Sequence, residues 1–149
     1  MKLANPNLRV VLTVRNPIYR TWSSFVHRSM KRAESGLPPI TLERFCALGP
    51  TRARSDVAGN FRKLKESFND DEILLIRFDD IVERPAAVVA SLGHFAGDHL
   101  TASARKDRAA LAKKKTRVTP SWNQLDLLEN NFSAMLGDAQ ELFEWSLRL

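Results

Sequence analysis

Two short apolar runs, LRVVLTV at 8–14 and ILLIRF at 73–78, constrain the fold of this chain more than any other feature. Both are aliphatic and nearly free of polar interruptions, the pattern of strands buried on both faces rather than of half-exposed ones. Helical patterns lie between them. A strand, a helical crossover and a second strand imply parallel pairing. The fold class is therefore α/β, with two parallel strands at about 8–14 and 73–78 and a mostly helical remainder. Doubly wound domains have several more strands. The 149 residues thus read as one domain, 1–149, that is incomplete and resembles the second half of a larger one.

The helices follow from caps and spacing. Asn16 suits an N-cap and Pro17 the first helical position, where no backbone donor is needed. Ile18, Trp22, Phe25, Val26 and Met30 then recur on one helical face. Ser35 to Pro39 breaks the pattern, and Thr41 caps a short helix running to Leu48. Val57, Phe61, Leu64 and Phe68 mark another helical face. Residues 69–71 form a turn, and Asp79 and Asp80 end the second strand. Pro85 opens a helix with Val88, Val89, Leu92 and Phe95 on its apolar face, closed near Gly97. Two closing helices are expected, Trp122–Met135 and Asp138–Leu147, the second with Asp138 and Glu141 at capping-box spacing.

Composition narrows the partners. The net charge of +6 favours anionic ones: nucleotide, nucleic acid, acidic polysaccharide or anionic lipid. No run approaches the ~18 apolar residues of a membrane span. The opening MKLANPNLR lacks a signal peptide's apolar core, so the expected compartment is the cytoplasm. The single cysteine, Cys46, sits among Phe45, Ala47 and Leu48 and reads as a buried structural thiol. His27, His94 and His99 have no metal-ligand spacing, and no metal is expected. His27 falls on the face of Ser23, where it borders the site or serves the surface, and His94 reads as structural.

The first strand ends in Arg15, and the next helix carries Arg20 and Ser23 three residues apart, on one face. Ligands of open α/β sheets bind beyond the carboxyl ends of strands. The helix N-terminus, with free backbone donors and partial positive charge, is expected to face the same place. Arg15 can grip a phosphate bidentately and Ser23 can donate a hydroxyl. The alternative is a surface arginine and a serine bonded within its helix.

R-N-P-I-Y-R-T-W-S, Arg15 to Ser23, resembles the R-x-P-x-x-R-x-x-S motif of the sulfotransferases, which use 3′-phosphoadenosine 5′-phosphosulfate (PAPS) as donor. G-N-F-R-K-L, Gly59 to Leu64, is similar to the family's G-x-Y-x-x-L helix, with Phe61 in the Tyr place. I-L-L-I-R-F-D-D-I-V-E-R-P, Ile73 to Pro85, resembles its strand ending in Tyr-Glu-Asp-Leu and a Pro-led helix, and Phe95-Ala96-Gly97 its Phe-Leu-Gly ending. The resemblance runs in order over residues 5–147. It implies a partial P-loop-like sulfotransferase fold and sulfuryl transfer from PAPS to a hydroxyl or amine. Arg15 and Ser23 would bind the donor's 3′-phosphate, and Arg20 would support them. Asn16 departs from the family's usual acidic residue. No loop for the 5′-phosphosulfate and no general base is legible upstream of Arg15.

The remaining features take their readings beside that resemblance. Asp79 and Asp80 match a structural acidic pair, as fold-holding acceptors. Trp22 either packs in the core or flanks the adenine, and Trp122 and Trp145 read as core anchors. Residues 105–117 hold seven basic residues and one acidic. They are a solvated segment, or a clamp over the donor through Lys113, Lys114, Lys115 or Arg117. The edge beside residues 8–14 is expected to be uncovered, favouring self-association or a partner chain. Two other functions remain open from the residues. One is a non-catalytic nucleotide- or polyanion-binding remnant that needs a partner chain. The other is a basic nucleic-acid-binding module.

Overall fold

The computed structural model describes residues 5–97 and 118–143. The basic run 105–117, His99, Trp145 and the end of the expected last helix lie outside them. The chain clusters into two compact units, residues 1–14 with 65–117 and residues 15–64 with 118–149.

The first unit holds both strands. β1 (Val10–Val14) and β2 (Ile73–Arg77) pair in parallel, with Val10 opposite Ile73 and Val14 opposite Arg77. Burial on both faces is not what they show. β1 alternates, with Val11 45% exposed and Thr13 also outward. Only Ile73 and Ile76 of β2 are buried. Each strand has one strand neighbour among the described residues, and the unit's helices pack against β2. An apolar run is enclosed on both faces only where layers cover both. The second strand also stops one residue early. Phe78 opens α5 (Phe78–Glu83), a helix with Asp79 and Asp80 in its first turn, where the helix dipole favours negative charge. Asp80 accepts from the exposed Arg84 one turn later. α6 (Pro85–Ala96) ends at Gly97, whose φ of 81° is the left-handed cap conformation that glycine adopts without strain. Arg9 donates to the Phe95 carbonyl and lies 5.5 Å over the Phe95 ring. His94 is exposed rather than packed.

The second unit is helical. α1 (Pro17–Glu34) buries Pro17, Ile18, Thr21 and Trp22 at its start, whereas Met30 is 58% exposed. α2 (Leu42–Cys46) is capped by Thr41 as expected, its hydroxyl accepting from the Arg44 amide at 3.3 Å. α3 (Gly49–Ser55) has no counterpart in the sequence reading. α4 (Val57–Lys65) ends before Phe68. The Asp56 carboxylate accepts from the Gly59 amide at 2.8 Å, and a Cβ on Gly59 would lie 2.2 Å from that carboxylate. Any larger residue at this place would push the Asp56 carboxylate out of its present position.

α7 (Trp122–Phe143) corrects the expectation of two closing helices. Leu128, Phe132, Leu136, Ala139 and Phe143 form one buried stripe that runs straight through Gly137. A mid-helix glycine costs about 1 kcal/mol against alanine, whereas each large apolar side chain buried beyond it contributes about 1.5–3 kcal/mol. Burial wins, so Asp138 lies inside a helix and caps nothing. Trp122 is 86% exposed and anchors no core. α7 packs on α1 and α2, and Phe61 meets Phe143 edge to face, ring centroids 5.3 Å apart.

Candidate anion site on the first helix

Arg15, Arg20 and Ser23 all belong to the helical unit. Arg15 is half-buried and stands one residue before the cap, Arg20 is half-buried, and Ser23 is exposed. The cap itself corrects one expectation. The buried Asn16 side chain accepts from the Ile18 amide at 2.9 Å and the Tyr19 amide at 3.4 Å. The Arg20 amide bonds the Asn16 carbonyl at 2.9 Å, and Pro17 has no amide proton. The backbone donors at this helix start are therefore committed. An anion here meets side chains and the helix dipole, not free amides.

Arg20 has a specific support. Its Nη1 donates to Ser55 Oγ at 3.5 Å, joining α1 to α3. Ser55 Oγ also bonds the Thr51 carbonyl at 2.9 Å and Thr21 Oγ1 at 2.9 Å. A serine hydroxyl has one proton. That proton goes to the Thr51 carbonyl, so Thr21 donates and Ser55 accepts. Thr21 and Ser55 have no exposed surface, so these bonds satisfy groups that would be costly left alone.

The electrostatics around Arg20 favour an anion. Burial, and then the nearby positive charge of Arg54, lower its pKa from the ordinary arginine value. The first turn of α1 contains no acidic residue. Among the described residues Arg20 bonds a neutral hydroxyl and no carboxylate. A structural ion pair would show the opposite: a carboxylate at hand, favouring the charged form.

Sequence reasoning missed Thr21, Ser55 and Arg54. No local signal marks them, because the Arg20–Ser55 contact spans 35 residues and α3 has no apolar periodicity. Trp22 is core: it is 7% exposed, its indole N–H donates to the Val118 carbonyl at 2.6 Å, and Phe25 packs beside its ring at 5.6 Å. Little indole face remains for an adenine. His27 is exposed. Cys46 is fully buried, and its thiol is pushed up to about 11 by that burial and by Glu43, against the opposing charge of Arg52. It is a structural thiol. Among the described residues no cluster of His, Cys, Asp and Glu could hold a metal, and no helix is long and apolar enough to cross a membrane.

No curated protein matches the chain. A family model described as Sulfotransferase family matches residues 1–101. That span contains β1, the Arg15–Ser23 segment, Gly59–Leu64, β2 and α6, and stops short of α7. The match takes in more than half of the 149 residues, in the same order in which the motifs were read, and the chain belongs to the sulfotransferase family.

Proposed function

We propose that this chain serves sulfuryl transfer from PAPS to a hydroxyl or amine acceptor, and that it forms the 3′-phosphate side of the donor site. Arg15 and Ser23 hold the 3′-phosphate, with Arg20 beside them. One observation carries this reading: Arg20 is half-buried, fixed by a neutral hydroxyl and close to a second cation, with no carboxylate paired to it among the described residues. A phosphate monoester supplies the missing negative charge. Sulfuryl transfer, like phosphoryl transfer, depends mainly on positioning and charge stabilisation. Holding the donor's 3′ end contributes positioning.

Calorimetric titration with 3′,5′-adenosine bisphosphate, beside 5′-AMP, tests the reading. The bisphosphate is expected to bind and 5′-AMP to bind far more weakly. Arg15→Ala removes a charge-assisted bond of about 1.5–3 kcal/mol, roughly ten- to a hundredfold in affinity. Equal binding of both nucleotides, falling steeply with salt, would instead mark general polyanion attraction by a chain of net charge +6. Absence of binding to the folded chain would remove the donor-site reading.

A further inference from the structure

The motif segment accounts for Arg15, Arg20 and Ser23, but the structure brings a further element to Arg20. Ser55, the last residue of α3, accepts from the Arg20 guanidinium. Arg54 immediately precedes it and is exposed. We propose that Arg54 is a third guanidinium of the anion site, added to Arg15 and Arg20 of the motif segment and converging with Arg20 on one dianionic phosphomonoester. This rests on the donor-site reading above and extends it to a residue outside the motif.

The argument is one of placement and charge. The Arg20–Ser55 bond fixes α1 against α3 at the point where Arg54 leaves the helix backbone. Ser55 is anchored in turn by Thr21 and by the Thr51 carbonyl, so Arg54 starts from a held position with its side chain exposed. Neither guanidinium has a carboxylate partner among the described residues, and the positive charge of Arg54 acts on Arg20, adding to burial in lowering its pKa. Two like charges held together are stabilised by an anion that bridges them. A doubly charged monoester suits two guanidinia better than a singly charged diester, and bidentate arginine geometry fits its oxygens.

Arg52 supplies an internal control. It lies on the same last turn of α3 with the same charge, but its guanidinium sits over the Phe132 ring, 5.7 Å from the centroid. The full chain and its Arg54→Gln, Arg54→Lys and Arg52→Gln variants would be titrated with 3′,5′-adenosine bisphosphate, with melting curves to check folding. Arg54→Gln is expected to weaken binding about tenfold and Arg54→Lys less, while Arg52→Gln stays within about twofold. Equal losses at positions 52 and 54, or an unchanged affinity in Arg54→Gln, would overturn the proposal while the wild-type chain still binds. If the wild-type chain does not bind the bisphosphate, the donor-site reading fails and takes the Arg54 assignment with it.

Discussion

The strand unit and the helical unit use similar apolar residues with different results. In the helical unit Cys46, Ala58, Leu128, Phe132 and Ala139 have no exposed surface. In the strand unit Val11 and Val82 are about half exposed, and Leu12, Leu74 and Leu75 are only partly covered. Helices bury a stripe against one another, and α1 and α7 do so with α2. A strand is enclosed only when neighbours cover its edges and layers cover its faces, and β1 has one strand beside it among the described residues. The candidate anion site is built on the tightly packed unit, which suits groups that must hold their geometry.

The largest effect that separates the units comes from truncating the cores. Phe132→Ala should destabilise the chain by about 3–5 kcal/mol, read by chemical denaturation. Val11→Ala, at a half-exposed position of β1, should cost well under about 1.5 kcal/mol. Similar losses at both positions would break the comparison. A smaller effect tests the buried hydroxyls. Ser55→Ala leaves the Thr21 hydroxyl without its acceptor and should cost about 1–3 kcal/mol. If Ser55→Ala melts like the wild type, the relay contributes nothing to the helical unit. The smallest effect has the opposite sign. Gly137→Ala meets no atom within 4 Å and should raise stability by up to about 1 kcal/mol if α7 is continuous. A loss of stability there would favour a helix broken at Gly137.

Much of the architecture is legible in the chain itself. The two aliphatic runs announce β1, β2 and their parallel pairing, Asn16-Pro17 announces the start of α1, and Thr41 announces α2. The misreadings have local causes. Gly137 resembles a stop signal until the stripe from Leu128 to Phe143 is seen to continue past it. α3 opens with Gly49 and Pro50 and carries two arginines, so no apolar period betrays it. Asp79 and Asp80 do follow the end of β2, but they lie in the first turn of α5, a helix the spacing did not announce. At the candidate site, the motif points to α1 and stops there. The part that α3 adds is created only when residues distant in sequence meet, and hydroxyls such as those of Thr21 and Ser55 have no spacing that foretells it.

The buried Cys46 has a practical consequence. Thiols react as thiolates, and a group titrating near 11 is ionised at neutral pH to only about one part in ten thousand. The chain has no other cysteine. A single cysteine introduced on the surface would therefore be the chain's one fast-reacting thiol, and a fluorophore or spin label would go to that chosen point with the native residue left in place.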